Sequence, residues 1–161
     1  MSLETLRRTD GDSPEVAKVY LYDGCGNVMV GIRSFRDKKR AGQLDFPGGR
    51  RKRCDRSIEE TAIRETEEEF GLLLCEADLE FVTVTQSPSK SDSEHPNIIT
   101  LYKAMIDAED EKNLSTDSGE IEDAFWMPET IVLEQLENPS KRNDYALFLA
   151  TAVDLRSLVA A

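Results

Sequence analysis

The chain has 161 residues, 39% hydrophobic and 32% charged, which suits one folded domain over residues 1–161. Its net charge of −12 argues against binding polymeric nucleic acid through a general phosphate footprint. With no apolar run of roughly eighteen residues and no charged-then-apolar signal pattern at the N-terminus, we expect a cytoplasmic protein with no membrane partner.

Residues 1–14 are polar and aperiodic and read as a loose lead-in. Residues 16–22 alternate around β-favouring types, residues 23–27 hold turn-forming Gly and Asn, and residues 28–32 return as the second strand of a hairpin. A basic loop follows over residues 33–43. A short strand at 44–46 then delivers the chain to a turn at Pro47, Gly48 and Gly49. Two adjacent glycines let backbone approach a ligand closely, and their amides can face phosphate oxygens.

A helix is expected from Ile58 to Phe70, with Ser57 as N-cap, Glu60 completing a capping box and Gly71 as the residue that ends it. On a helical wheel Ile58, Ala62, Ile63, Thr66 and Phe70 share the inward face. Glu65 and Glu69 lie at its edge or inside it, and Glu68 sits just beyond. Glu60, Arg64 and Glu67 take the outer face. Three carboxylates crowded near a helix C-terminus repel one another and oppose the helix dipole. The i,i+4 pairs with Arg64 offset only a few tenths of a kcal/mol each. A hard divalent cation, Mg²⁺ or Mn²⁺, resolves that conflict, because such ions take oxygen ligands and share them with substrate phosphates. The alternative at this point is a solvated acidic face with no metal.

Beyond the helix, strands are expected at residues 79–85 and 98–106, separated by a polar stretch at 86–96 long enough to act as a flap. Residues 107–119 read as an acidic surface loop, 120–127 as a strand carrying Trp126, 128–136 as a short helix and 141–159 as an amphipathic closing helix. The order fits an α/β fold, a mixed sheet between helical layers. Cys25, Cys54 and Cys75 are odd in number and lack paired metal-site spacing, so they read as free thiols. The single histidine, His95, falls in the polar stretch and makes a Ser-His-Asp or Cys-His mechanism a poor fit. Ten of the twenty basic residues lie between Arg33 and Arg56 beside three acids, a local positive rim suited to a small polyphosphate.

The run Arg64, Glu65, Thr66, Glu67, Glu68, Glu69, Phe70, Gly71, Leu72, preceded by Gly48 and Gly49, resembles the Nudix box. That pattern is Gly, five residues, Glu, seven residues, then R-E-U-x-E-E-x-G-U with U aliphatic. Thr66 stands at an aliphatic position. Counted back from Arg64, the box Glu falls on Arg56 and the box Gly on Arg50. With Gly49 as the box glycine, Asp55 takes the acidic place and the loop is one residue longer. Upstream, Arg33, Ser34, Lys38, Gly42 and Phe46 to Gly49 are similar to a motif of the coenzyme A diphosphatases of that family, with Lys38 where the motif has Arg. Glu120 to Met127 resembles the family's segment in which an acid precedes a Trp-containing strand.

The resemblance implies a Nudix-type α/β/α sandwich with a mixed β-sheet. It implies hydrolysis of a diphosphate linkage in a nucleoside diphosphate derivative, whether a nucleoside triphosphate, a coenzyme A-type or a nucleotide-sugar-like substrate, dependent on Mg²⁺ or Mn²⁺. Glu65, Glu68, Glu69 and Glu120 are its metal ligands, and Glu68, Glu69 and Glu122 its candidates for the chemistry. Arg64 is an orienting residue with Asp55 as partner. Gly48, Gly49, Arg33 and Lys38 are its candidate substrate contacts, and a homodimer is compatible with it. The alternative from another class is a non-catalytic nucleotide-binding or regulatory module on the same fold.

Overall fold

The expected hairpin forms, with β1 at Glu15–Tyr22 and β2 at Asn27–Arg33. Asp23 fixes its turn by accepting hydrogen bonds from the Cys25 and Asn27 amides and from Asn27 Nδ2. The structure, a computed structural model, describes residues 13–38, 41–42, 44–87 and 96–132. The chain continues through β3 (Leu44–Asp45), β4 (Gly48–Arg50), α1 (Ile58–Phe70), a single 3₁₀ turn (Glu76–Asp78), β5 (Glu80–Ser87), β6 (Asn97–Met105), α2 (Ala108–Glu111) and β7 (Ile121–Pro128).

Two segments differ from expectation. Gly48 and Gly49 are not an open turn; they form β4, paired antiparallel with β1 in the register Ala17↔Gly49 and Lys18↔Gly48. The acidic loop contains α2, made possible by Asp107, whose carboxylate accepts hydrogen bonds from the Glu109 and Asp110 amides and so satisfies the first turn.

The sheet is mixed. β1 runs parallel to β6 and antiparallel to β2 and β4, within the order β3-β2-β1-β6-β5, while β7 lines the outer edge of β2. β1 and β2 pair only at Leu21↔Met29 and Tyr22↔Val28. Past that point they separate, and β3 takes up the free edge of β2 while β4 takes up that of β1. The chain crosses between them at Pro47, whose carbonyl accepts from the Val19 amide at 2.9 Å.

Successive residues of a strand point to opposite faces. Ala17, Val19 and Leu21 of β1 therefore join one core with Met29, Ile58, Ala62, Phe70 and Leu72, and Tyr20 joins a second with Val28, Val30, Phe46, Leu101 and Val132. An apolar core on each face requires cover on each, the layered arrangement expected. Helix α1 covers the first, lying on β1 and β4. Phe70 seats against Gly31, where a Cβ would stand 2.8 Å from the ring, so the glycine makes the seat. Truncating Phe70 to Ala would cost about 3–5 kcal/mol. Trp126 packs on the edge of this core.

Residues 129–132 begin the helical turn expected after Pro128. The rest of that helix, the closing helix at 141–159, the lead-in at 1–12, and residues 88–95 of the flap with His95 lie outside the described residues. All three cysteines are free and exposed. No helix among the described residues is long and apolar enough to cross a membrane.

Candidate functional site

Helix α1 has the expected bounds. The Ser57 hydroxyl accepts from the Glu60 amide at 3.1 Å, and Gly71, at φ +69°, donates its amide to the Glu67 carbonyl at 2.8 Å. The reciprocal half of the capping box is absent. The Glu60 carboxylate accepts instead from Arg56, from its amide and from Nε at 2.6 Å each, because a guanidinium offers a charge-assisted bond that the Ser57 amide cannot match.

The buried face comprises Ile58, Thr61, Ala62, Glu65, Thr66, Glu69 and Phe70. Ile63, expected inside, is only partly buried, and Thr61 takes its place because the Thr61 hydroxyl donates to Asp55 at 3.0 Å. Glu65 and Glu69, one turn apart, both point under the sheet, with Glu69 only 1% exposed.

Backbone closeness explains how the sheet accommodates them. A Cβ on Gly49 would stand 2.5 Å from the Glu65 carboxyl carbon, and the Gly48 amide donates to Glu69 Oε2 at 3.4 Å. Gly48 itself sits at φ +150°, and a Cβ there would fall on the Ala17 carbonyl oxygen. The two glycines thus serve the carboxylates of α1.

The third acid arrives through the register of β7. Arg33 pairs with Ile121 after a bulge at Ile32, and the Ser34 amide donates to the Glu120 carbonyl at 3.0 Å. One carboxylate oxygen each from Glu65, Glu69 and Glu120 then lie within 4.8 Å of one another. The other expected acids stand outside this group. Glu68 is half exposed at the rim, 3.1 Å from Arg64 and 3.6 Å from Lys52, and Glu122 is exposed on β7. Glu68, three residues from Glu65, is turned to the rim by Arg64 and Lys52. Lys38 is exposed on the loop after β2.

Behind the carboxylates lies a charge network that sequence reasoning missed. Lys18 and Asp45 form a buried ion pair at 2.9 Å, and Lys18 also donates to the Phe46 carbonyl at 3.2 Å. Arg33 Nη1 lies 3.9 Å from Asp45 and 3.8 Å from Glu69, while its Nη2 binds Asp37 at 3.1 Å. The signal available was a Lys and an Asp inside strands whose neighbours are apolar. Neither is stable there without a partner.

Arg64 leaves the outer face expected of it. Its Nε and Nη2 reach Asp55 at 2.9 and 2.8 Å, its Nη2 also donates to the Arg50 carbonyl, and its Nη1 touches Glu65 at 2.7 Å. Asp55 accepts further from the Lys52 amide at 2.9 Å. The guanidinium holds the Asp55 carboxyl far below the usual carboxylate range, and Asp55 in return raises Arg64. Arg56, at the position counted back from Arg64, is an exposed partner of Glu60.

The residues fit a hard divalent ion. The donors are all carboxylate oxygens, two of the three buried, which is the set such ions take. Burial pushes the Glu69 carboxyl up to about 8, with Lys18 pulling down and Asp45 and Glu65 adding to the rise. A cation placed beside a buried acid among other acids favours its charged form.

Comparison with known proteins bears on the family and the fold. The family model described as NUDIX domain matches residues 12–148. A curated relative, an uncharacterized Nudix hydrolase NudL of Pectobacterium atrosepticum, is 52% identical over 45 residues, 28% of this chain and 23% of its own length. The chain thus matches about a quarter of that relative. Among solved structures, a NUDIX hydrolase from Alicyclobacillus acidocaldarius superposes with TM-score 0.67 at 16% identity, covering 95% of this chain and 94% of the other. The NUDIX domain of Shewanella oneidensis NrtR, solved with ADP ribose, gives TM-score 0.62 at 20% identity over 83% and 88%.

Proposed function

The chain belongs to the NUDIX domain family, and from that premise we propose that it hydrolyses a diphosphate linkage in a nucleoside diphosphate derivative with Mg²⁺ or Mn²⁺. The observation that carries the reading is the trio Glu65, Glu69 and Glu120, gathered within 4.8 Å beside the Gly48–Arg50 strand. A bound divalent ion supplies positive charge for phosphate oxygens and for the attacking water. The rest of the work falls to the chain.

Glu65, Glu69 and Glu120 would hold the ion, with Glu68 completing the set from the rim. The Gly48 amide fixes Oε2 of Glu69. Arg64, locked by Asp55, holds Glu65 and Glu68 in place from the solvent side. Glu120 is the exposed carboxylate of the trio, and we assign to it the proton of the attacking water, with Glu122 a second acceptor farther along β7. Arg33, and Lys38 beyond it, are our candidates to receive phosphate oxygens as the substrate enters.

The ADP ribose bound to the NrtR domain supports a nucleotide as the substrate class. The loop from Arg33 to Gly49, similar to that of coenzyme A diphosphatases, puts coenzyme A derivatives first in the panel. A cytoplasmic location and a homodimer belong to the same proposal. The test is turnover with Mg²⁺ or Mn²⁺ of coenzyme A, ADP-ribose, diadenosine polyphosphates and nucleoside triphosphates, beside Glu69→Gln. Metal-dependent release of products that the variant loses supports the reading. Nucleotide binding without turnover would make the protein a binding module.

A further inference from the structure

The loop after β2 carries a feature that the metal site does not use. Phe35 is 69% exposed. A single exposed apolar side chain needs no explanation, but this one is held in place. The Ser34 amide donates to the Glu120 carbonyl at 3.0 Å, the Asp37 amide to the Ser34 carbonyl at 2.9 Å, and the Arg36 amide to the Ser34 hydroxyl at 3.2 Å. Arg33 closes the loop onto Asp37, and the Gly42 amide donates to the Arg33 carbonyl at 3.0 Å. The ring leans on Gly42, where φ is +70° and a Cβ would stand 3.1 Å from it. A glycine at that position therefore both permits the backbone and makes room for the ring.

Its address is as specific as its support. Phe35 directly follows Ser34, which is bonded to the Glu120 backbone, and lies two residues from Arg33, whose guanidinium is 3.8 Å from Glu69. Consecutive Cα atoms are about 3.8 Å apart, so the Phe35 backbone belongs to the stretch of loop that borders the carboxylate trio. The other exposed aromatic among the described residues, Phe81, packs edge-on against Tyr102. Arg36 and Lys38, both exposed, follow Phe35 in the loop and add positive charge that favours an anionic ligand.

We propose that Phe35 is the platform on which the nucleobase of the substrate stacks, so that this side chain distinguishes a nucleoside diphosphate derivative from a diphosphate without a base. The assignment rests on the hydrolase reading for the position of the diphosphate. An aromatic face accepts any base, and its flat surface adds affinity without a hydrogen-bond code. Base choice at this site is accordingly loose.

Calorimetry with AMP and with ribose 5-phosphate, which differ by the base alone, tests this in Mg²⁺ buffer on wild type, Phe35→Ala and Phe35→Tyr. Wild type binds AMP more tightly; Phe35→Ala loses about ten-fold for AMP and nothing for ribose 5-phosphate; Phe35→Tyr keeps the preference. An AMP affinity unchanged in Phe35→Ala, no preference in wild type, or an equal loss of both ligands overturns the proposal. Turnover measured alongside separates the two readings. Absent turnover with the AMP preference intact sinks the hydrolase and leaves the platform. Turnover without that preference sinks the platform alone.

Discussion

Arg64 and Asp55 are joined at two points, Nε to Oδ1 at 2.9 Å and Nη2 to Oδ2 at 2.8 Å, across the loop that leads into the helix. The pair ties the basic segment before α1 to the face carrying Glu65 and Glu68. Arg56 stands where the resemblance puts the box Glu and pairs with Glu60, while the neighbouring acid, Asp55, reaches Arg64.

Asp55→Ala leaves the half-buried Arg64 with Glu65, Glu68 and the Arg50 carbonyl, and should destabilise the protein by about 2–4 kcal/mol at pH 7. The pair also sets an acid limb. Its carboxyl titrates lower in the folded than in the unfolded state, so its contribution is whole above about pH 4–5 and is lost as the pH falls through the folded value. Urea unfolding at pH 7 and pH 3 should show a smaller loss between the two in Asp55→Ala than in wild type.

Glu69 has the opposite sign. With its carboxyl raised to about 8 in the folded state, its contribution to metal-free stability should be whole below about pH 4.5 and decline as the pH rises to about 8. Glu69→Gln removes that decline, so in EDTA at pH 8 the variant should melt above wild type. Mg²⁺ or Mn²⁺ should raise the Tm of wild type and leave the variant unmoved. Its kcat should fall by about 10³-fold or more.

Gly48 and Gly49 should separate stability from metal binding. Gly48→Ala forces a side chain onto the Ala17 carbonyl at φ +150°, a backbone clash with no flexible neighbour to yield, and should cost about 3 kcal/mol or more. Gly49→Ala meets only the end of Glu65, which can swing aside. We expect a smaller stability loss there, with the metal-dependent Tm shift reduced. Thermal melts of both variants with and without Mg²⁺ check the contrast.

Lys18→Met strands Asp45 beside Glu69 and should cost about 3–5 kcal/mol, the usual penalty for breaking a buried pair. Adding Asp45→Asn should recover part of that loss, giving a coupling energy readable from a double-mutant cycle. The single variant should also hold the Glu69 proton more tightly, since Lys18 is the largest influence pulling that group down. The decline in metal-free stability should then extend to higher pH.

What the sequence determined by itself is what short-range forces determine. Helix α1 was legible to the residue because Ser57 and Gly71 act within one turn of its ends, and the proximity of Glu65 to Glu69 follows from 3.6 residues per turn. The hairpin and strand positions followed from alternation. The belonging of the chain to its family was legible in the Arg64 to Leu72 run, because those residues share one helix.

Tertiary structure alone decided the rest. Lys18 and Asp45 meet across 27 residues, a distance no local pattern encodes. Gly48 and Gly49 read as a turn, and they form a strand because β1 and β2 separate and leave an edge of β1 to be paired. Arg64 looked solvent-facing on the wheel; the resemblance implied Asp55 as its partner, and the fold supplies the burial that makes the pair close. Among the acids it was the register of β7 against β2, set by the bulge at Ile32, that brought Glu120 to Glu65 and Glu69 while Glu122 stayed outside the group. Each of these depends on which chain segments become neighbours, and that is settled by the competition of whole faces for burial.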